Sequence, residues 1–374
     1  MEKKLGFGCM RLPLLDTQDK ASIDFAQMKQ MVDIFLAQGF CYFDTAYMYH
    51  KFNSEIFLRK ALVERYPREK FLIATKLPIS FLKSAVDVEM IFNKQLNKCG
   101  VKYFDYYLLH NLNRRSIEIA QKFNCFEFIK QKKSEGKIRH LAFSFHDQAE
   151  LLDKILTDHP EFELVQLQIN YLDWDSPSVQ SRKCYETALK HKKKIIVMEP
   201  VKGGILANVP KSVENIFMDF SPNKSPASWA IRFAASQKGV FMVLSGMSNL
   251  TQMQDNLSYM KDFVPLNETE SKIIKEVTEI INSTIAIPCT SCGYCLRNCP
   301  KNIAIPEYFM LYNSYFRAHG ERKVNFFFNE RNYYANYTKN GKASECLGCH
   351  QCEKNCPQNI EIAVWMNKIA KLFD

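Results

Sequence analysis

At 374 residues, with 47% hydrophobic and 24% charged residues, the chain has a globular composition and a length that suggests two domains. These values exclude a disordered or fibrous chain, and no apolar run approaches the roughly 20 residues that span a bilayer. The net charge of +10 is scattered, so no nucleic-acid partner is expected.

The opening residues Met1 to Gly8 lack the apolar stretch and small-residue cleavage site of a signal peptide. A cytoplasmic location, where thiols stay reduced, is therefore expected. Short apolar runs then alternate with amphipathic stretches, the pattern of βα units around a parallel sheet. The strand candidates are Leu5–Met10, Cys41–Asp44, Phe71–Thr75, Tyr106–His110, Leu141–Phe145, Leu164–Ile169, Lys194–Met198 and Phe241–Leu244. Between the first two, Phe25, Met28, Val32, Phe35 and Leu36 make one helical face. The densest charge cluster, Lys190 to Lys194, falls between a helical pattern and a strand and reads as a solvated helix end. It leaves a mild pull toward an acidic partner such as an electron-transfer protein.

Eight such strands over residues 1–266 predict a (β/α)8 barrel. A doubly wound sheet is the competing fold. It is weakened because Gly6-Phe7-Gly8 runs into Cys9-Met10-Arg11 instead of a glycine-led helix start. In a barrel the chemistry sits at the C-terminal strand ends, where Asp44, Lys76 and His110 fall, with Tyr49 in the loop after the second strand. Each has a bland use as a cap, a core filler or a scaffold ion pair. Together they ring one mouth.

Residues 267–374 are dominated by cysteine. Eight of the 13 cysteines form two copies of C-x2-C-x2-C-x3-C-P: Cys289, Cys292, Cys295, Cys299 and Pro300, then Cys346, Cys349, Cys352, Cys356 and Pro357. Zinc sites favour pairs of cysteines separated by longer gaps, whereas three thiolates two residues apart wrap one corner of an iron–sulfur cube. The fourth cysteine of each run normally ligates the other cluster. That assigns Cys289, Cys292, Cys295 and Cys356 to one [4Fe–4S] cluster, and Cys346, Cys349, Cys352 and Cys299 to a second. Zinc and disulfides are the competing readings. The motif resembles that of small bacterial two-cluster ferredoxins, but the 46 residues between Cys299 and Cys346 make a longer spacer. Phe309, Tyr312, Tyr315 and Phe316 recur there at helical spacing, so the spacer is more similar to a mainly α-helical ferredoxin-like domain. The rings are expected to pack around the clusters and exclude water.

The barrel half resembles the aldo/keto reductases. Phe43-Asp44-Thr45-Ala46 with Tyr49 and Ser54-Glu55, Ala74-Thr75-Lys76, Leu108-Leu109-His110, and Gly136-Lys137-Ile138-Arg139 with Phe143-Ser144 follow the family pattern in order. So do Gln168-Ile169-Asn170-Tyr171, Pro226-Ala227 with Ala230 and Arg232, and Asp255-Asn256-Leu257. The opening Gly6-Phe7-Gly8-Cys9-Met10-Arg11-Leu12-Pro13 is similar to a branch carrying a C-terminal two-cluster module. The resemblance implies reduction of an aldehyde or ketone by hydride from NAD(H) or NADP(H). Tyr49 would be the general acid, Lys76 would lower its pKa, Asp44 would hold Lys76, and His110 would orient the carbonyl oxygen. It also implies that Ser144 and Gln168 bind the nicotinamide amide and that Asp255 and Asn256 bind the adenosine end.

Two positions depart from the family. Met198 replaces the aromatic ring that stacks on the nicotinamide, and Gln252 replaces the base that grips a 2′-phosphate. NAD, or a flavin in its place, becomes credible. Trp174, Arg11 and His146 come from strand ends or the following loops and are candidate pocket residues. The expected partners are a small carbonyl substrate and a redox protein. The alternative is an electron-transfer or partner-binding protein whose barrel is not an active carbonyl reductase.

Overall fold

The computed structural model describes residues 3–17, 19–321 and 340–373. Eight strands close into a barrel in chain order, and each pair of neighbours is parallel, β8 with β1 included. They are β1 (Leu5–Gly8), β2 (Tyr42–Asp44), β3 (Leu72–Leu77) and β4 (Phe104–Leu112). The remaining four are β5 (Ile138–Phe145), β6 (Leu164–Gln168), β7 (Lys194–Met198) and β8 (Val240–Ser245). Every strand read from the sequence is present, and the doubly wound alternative is excluded by the β1–β8 pairing. The ends differ: β1 stops at Gly8 because Cys9–Arg11 turns into a 3-10 helix, and β3 and β4 run past Lys76 and His110.

Local chemistry sets the helices. Asp24 opens helix Phe25–Ala37 by accepting the Gln27 N–H at 3.0 Å, and Met28, Met31, Val32 and Phe35 are buried along it. Helix Ala85–Cys99 starts with a Ser84–Asp87 capping box and stops at Gly100 in the left-handed conformation.

Side chains two residues apart on a strand share a face, and alternate residues of these strands point into the barrel. Tyr42, Ala74, Leu108, Ala142 and Ile196 belong to one buried cluster. Two residues further along the same strands come Asp44, Lys76, His110, Ser144 and Met198. The candidate site therefore continues the inward-facing columns of the core to their C-terminal ends.

The chain divides into two compact units. One holds the residues up to Pro200 with Ala227–Asn267, and the other holds Val201–Pro226 with Glu268–Asp374. A loop segment following β7 in the sequence thus groups with the cysteine-rich unit. That unit has its own core: Ile287, Ile303, Tyr308, Phe309, Ile360 and Met366 pack with Cys295 and Cys352. Among the described residues no helix is long and apolar enough to cross a membrane.

Candidate active site and cluster-binding loops

Lys76 and Asp44 form a buried ion pair at the barrel mouth. The Lys76 Nζ donates to Asp44 Oδ1 at 2.5 Å and to the Thr45 carbonyl at 2.8 Å. The same Nζ lies 5.2 Å from the centroid of the Tyr49 ring. The His110 ring stands edge-on to Tyr49, with centroids 6.1 Å apart at 82°. Four residues from three strand ends and one loop thus converge.

A buried polar network braces them. Glu55 pairs with Lys98 at 2.7 Å and accepts from Thr75 and from Gln95, each at 2.7 Å. Gln95 also donates to the Lys76 carbonyl at 3.1 Å and accepts from the Tyr107 hydroxyl at 2.7 Å. The backbone carrying the lysine is fixed from the helix side.

Electrostatics correct one expectation. Lys76 does not bring the Tyr49 phenol below its ordinary value. Burial first, then the negative charges of Asp44 and Glu199, hold it well above that value. Lys76 is hydrogen-bonded to Asp44 and faces the ring of Tyr49, so its charge is committed to the carboxylate. Burial also raises Asp44, and Lys76 opposes that rise without cancelling it. Asp44 Oδ2 has no hydrogen-bond partner among the described residues.

Glu199 belongs to no motif legible in the sequence. It follows β7 directly and adopts a φ of +55°, uncommon outside glycine. Its carbonyl accepts from Asn170 Nδ2 at 3.1 Å. Asn170 and Gln168 both donate to Asp173 Oδ2 at 2.7 Å. Ser144 Oγ accepts the Asn111 N–H at 2.7 Å, and Met198 pairs in register with Gln168.

The adenosine-end candidates lie on helix Leu250–Met260, after β8. Gln252 Oε1 accepts the Ser248 N–H at 2.8 Å, so this side chain closes the helix start. Asn256 is turned inward, donating to Ser245 Oγ and accepting from the Tyr259 hydroxyl, each at 2.6 Å. Asp255 is half-buried on the same helix. Among the pocket candidates, His146 is neutral at ordinary pH, because burial lowers its imidazole to about 4. Trp174 packs edge-on against Phe233 and tilts against Tyr185, the arrangement of a residue braced on the outer helices.

The two cysteine motifs fold as a repeat. Ser291 and Gly348, both two residues after the first cysteine, have φ of 52° and 60°. Gly293 and His350 have 76° and 54°, and Asn302 and Asn359 have 50° and 51°. Each third cysteine leads into a one-turn 3-10 helix, Leu296–Asn298 or Glu353–Asn355. None of the thirteen cysteines is joined in a disulfide.

The fourth cysteines cross over. A small pocket is lined by Cys346, Cys349, Cys352 and Cys299. Burial pushes the Cys289 thiol up to about 12, and its cysteine neighbours are Cys292 and Cys356. Burial also raises Cys295, with Cys292, Cys289 and Cys356 adding to the rise. Such thiols hold their protons until iron displaces them. Backbone N–H groups of Ser291 and Ile303 approach the sulfurs of Cys289 and Cys299 at 3.4 Å. Among the described residues no three His, Cys, Asp or Glu side chains close tightly enough for a single metal ion. Zinc needs thiolates meeting on bonds of about 2.3 Å, whereas a cube takes one thiolate at each of four irons. The loops fit the cube.

The aromatic spacer is partly as expected. Phe309 is buried in the core of this unit, and Tyr312 meets Trp365 at 5.2 Å. Phe316 is 42% exposed and, among the described residues, is not part of the core that packs against the loops. The spacer between 322 and 339 lies outside the described residues.

A model of the aldo/keto reductase family matches residues 4–279, and a 4Fe-4S dicluster domain matches residues 288–361. A comparison with curated protein sequences returns no match. Among solved structures, the chain is similar to the holo form of an aldo-keto reductase, AKR11C1, from Bacillus halodurans. The two share 21% identity and a TM-score of 0.59, with 73% of this chain and 91% of that one covered. An aldo/keto reductase from Klebsiella pneumoniae in complex with NADP and acetate is 16% identical with a TM-score of 0.59, covering 74% and 96%. One from Brucella melitensis is 20% identical with a TM-score of 0.56, covering 73% and 94%.

Proposed function

The chain belongs to the aldo/keto reductase family and carries a 4Fe–4S dicluster domain; from that premise we propose that this oxidoreductase reduces an aldehyde or ketone with Tyr49 as general acid. The observation that carries the reading is the Lys76–Asp44 pair at 2.5 Å with Tyr49 and His110 set edge to face beside it.

Tyr49, like any phenol, keeps its proton throughout the neutral range, and burial holds that proton more tightly still. Asp44 anchors Lys76, and Lys76 over the ring face keeps the phenol aligned. His110 donates to the carbonyl oxygen as negative charge develops there. A reduced nicotinamide, when bound, supplies the hydride. The Klebsiella barrel of the same fold holds NADP, which supports a nicotinamide here. Ser144 and Gln168 would hold its amide, Met198 would cover the ring, and Asp255 would meet the adenosine end. Asn256 contributes by tying that helix to the end of β8 through Ser245. Gln252 supplies no cation and is engaged with Ser248, which favours NAD over NADP. No feature of the barrel favours a flavin.

Cys289, Cys292, Cys295 and Cys356 hold one cluster, and Cys299, Cys346, Cys349 and Cys352 hold the other. The pair exchanges single electrons, which calls for a redox partner besides the carbonyl substrate. The test is Tyr49→Phe, prepared without oxygen and assayed against an aldehyde panel with NADH. The expected loss is about 10²- to 10⁴-fold with nicotinamide binding retained. Full activity would overturn Tyr49 as the general acid, and an unaltered protein that neither binds NADH nor reduces any aldehyde would leave the barrel serving electron transfer without carbonyl chemistry.

A further inference from the structure

We infer that His50 is the positioning residue for Tyr49: its imidazole bridges two backbone groups of the segment after β1 and so holds the chain reversal that carries the phenol. This role presupposes Tyr49 as the proton donor proposed above and adds what keeps it in place.

The chain leaves Tyr49 through three left-handed residues in a row. Their φ angles are +51° at His50, +51° at Lys51 and +71° at Phe52, with ψ of 49° and 45° at the first two. None of the three is glycine, and left-handed residues of other types normally occur singly. Such a run persists only where its surroundings over-determine it.

The three side chains hold unequally. Lys51 Nζ meets Asp19 Oδ1 at 2.8 Å, but their side-chain exposures of 64% and 46% make this a weak tie. Phe52 stands edge-on to Tyr47 and Phe81 and is 40% exposed. His50 is the buried anchor, at 7%. The Leu12 N–H can only donate, so His50 Nε2, 3.1 Å away, accepts. The ring proton therefore sits on Nδ1, which donates to the Lys20 carbonyl at 2.8 Å. Burial holds the imidazole below its ordinary value, against the pull of that hydrogen bond, so the neutral ring this bridge requires is the one favoured.

Both partners belong to a closed hairpin. Leu14 bridges Ile23, the Leu15 N–H donates to the Ser22 carbonyl at 2.7 Å, and the Asp24 N–H donates to the Pro13 carbonyl at 2.9 Å. His50 is thus tied to a braced piece of chain. On its other side Tyr49 is fixed by its own N–H, which donates to the Ala46 carbonyl at 3.2 Å. Releasing His50 lets the strained run relax by turning the peptide planes next to Tyr49, which shifts the phenol from Lys76 and His110. Proton transfer needs hydrogen-bond reach, and a displacement of about 1 Å can cost on the order of 10²-fold. The proposed nicotinamide contacts come from other strand ends, so the loss should fall on kcat.

The experiment is steady-state aldehyde reduction with NADH by the anaerobic full-length protein, with Tyr49→Phe run alongside. His50→Leu should lower kcat about 10- to 10²-fold with KM and the Kd for NADH unchanged. His50→Gln, whose amide presents one acceptor and one donor as the neutral ring does, should keep most of kcat. Lys51→Gly added to His50→Leu should recover part of the loss, because glycine takes the left-handed conformation without strain. If His50→Leu does not fold, His50→Asn, an amide too short to reach both partners, takes its place with a loss in the same direction. An unchanged kcat, an effect on KM alone, or a loss in His50→Gln equal to that in His50→Leu would each overturn the role of His50. Full turnover by Tyr49→Phe would instead overturn the proton-donor reading itself, and this role with it.

Discussion

The barrel mouth and the cysteine loops assemble their sites by opposite routes. At the mouth, Asp44, Lys76 and His110 come from three strands up to 66 positions apart, and only closure of the barrel brings them together. In the loops, three of every four ligands come from seven consecutive residues, and the backbone of one loop repeats in the other. A site of the first kind depends on the whole fold. A site of the second kind depends on local spacing and on a single exchanged ligand.

The largest effect that would sharpen this contrast is in the exchanged ligands. Cys356→Ser should remove the cluster of the first motif's three cysteines, and Cys299→Ser should remove the other. Iron and sulfide content should fall to about half in each. Loss of the cluster belonging to the substituted motif itself would show that no exchange occurs. At the barrel mouth, Lys76→Met leaves Asp44 buried and unpaired. It should destabilise the barrel by about 3–5 kcal/mol in denaturant titrations while the clusters remain bound. Retained stability would mean that Asp44 becomes neutral in the variant.

A smaller change separates the two ends of the nicotinamide groove. Gln252→Arg should tighten NADPH binding about tenfold through a charge-assisted contact worth about 1.5 kcal/mol, leaving NADH little affected. Equal affinities before and after would remove Gln252 from the groove. The smallest concerns His146. Its folded value of about 4 lies below the ordinary value of about 6.5, so the unfolded chain binds more protons between these limits. Stability contributed by neutral His146 is complete above about pH 6.5 and is lost as pH falls toward 4. His146→Phe should flatten the barrel's stability across that window in thermal melts.

Much of the fold was legible because β-strands buried on both faces read as apolar runs, and all eight stood out. The cluster cysteines were legible for the same local reason. Asp44, Lys76, Tyr49 and His110 needed the ordered family resemblance, since each alone has a common structural use. Glu199 escaped because its position follows from left-handed backbone after β7, and it carries no motif. The fate of Tyr49's proton also escaped. A positive neighbour is visible in sequence, but burial and the prior commitment of Lys76 to Asp44 are not. Phe316 kept helical spacing yet faces solvent, because spacing fixes a stripe and not the width of the surface that covers it.

The exposed stretch 347–351, with Cys349 at its centre, also gives the protein a direction of wear. Oxygen and chelators meet this outer loop first, while the inner loop, residues 289–295, is buried or half-buried, with Thr290 against Gly203. Exposure to air should therefore pass through a half-loaded form that keeps the inner cluster, and repair would need to refill only the outer one.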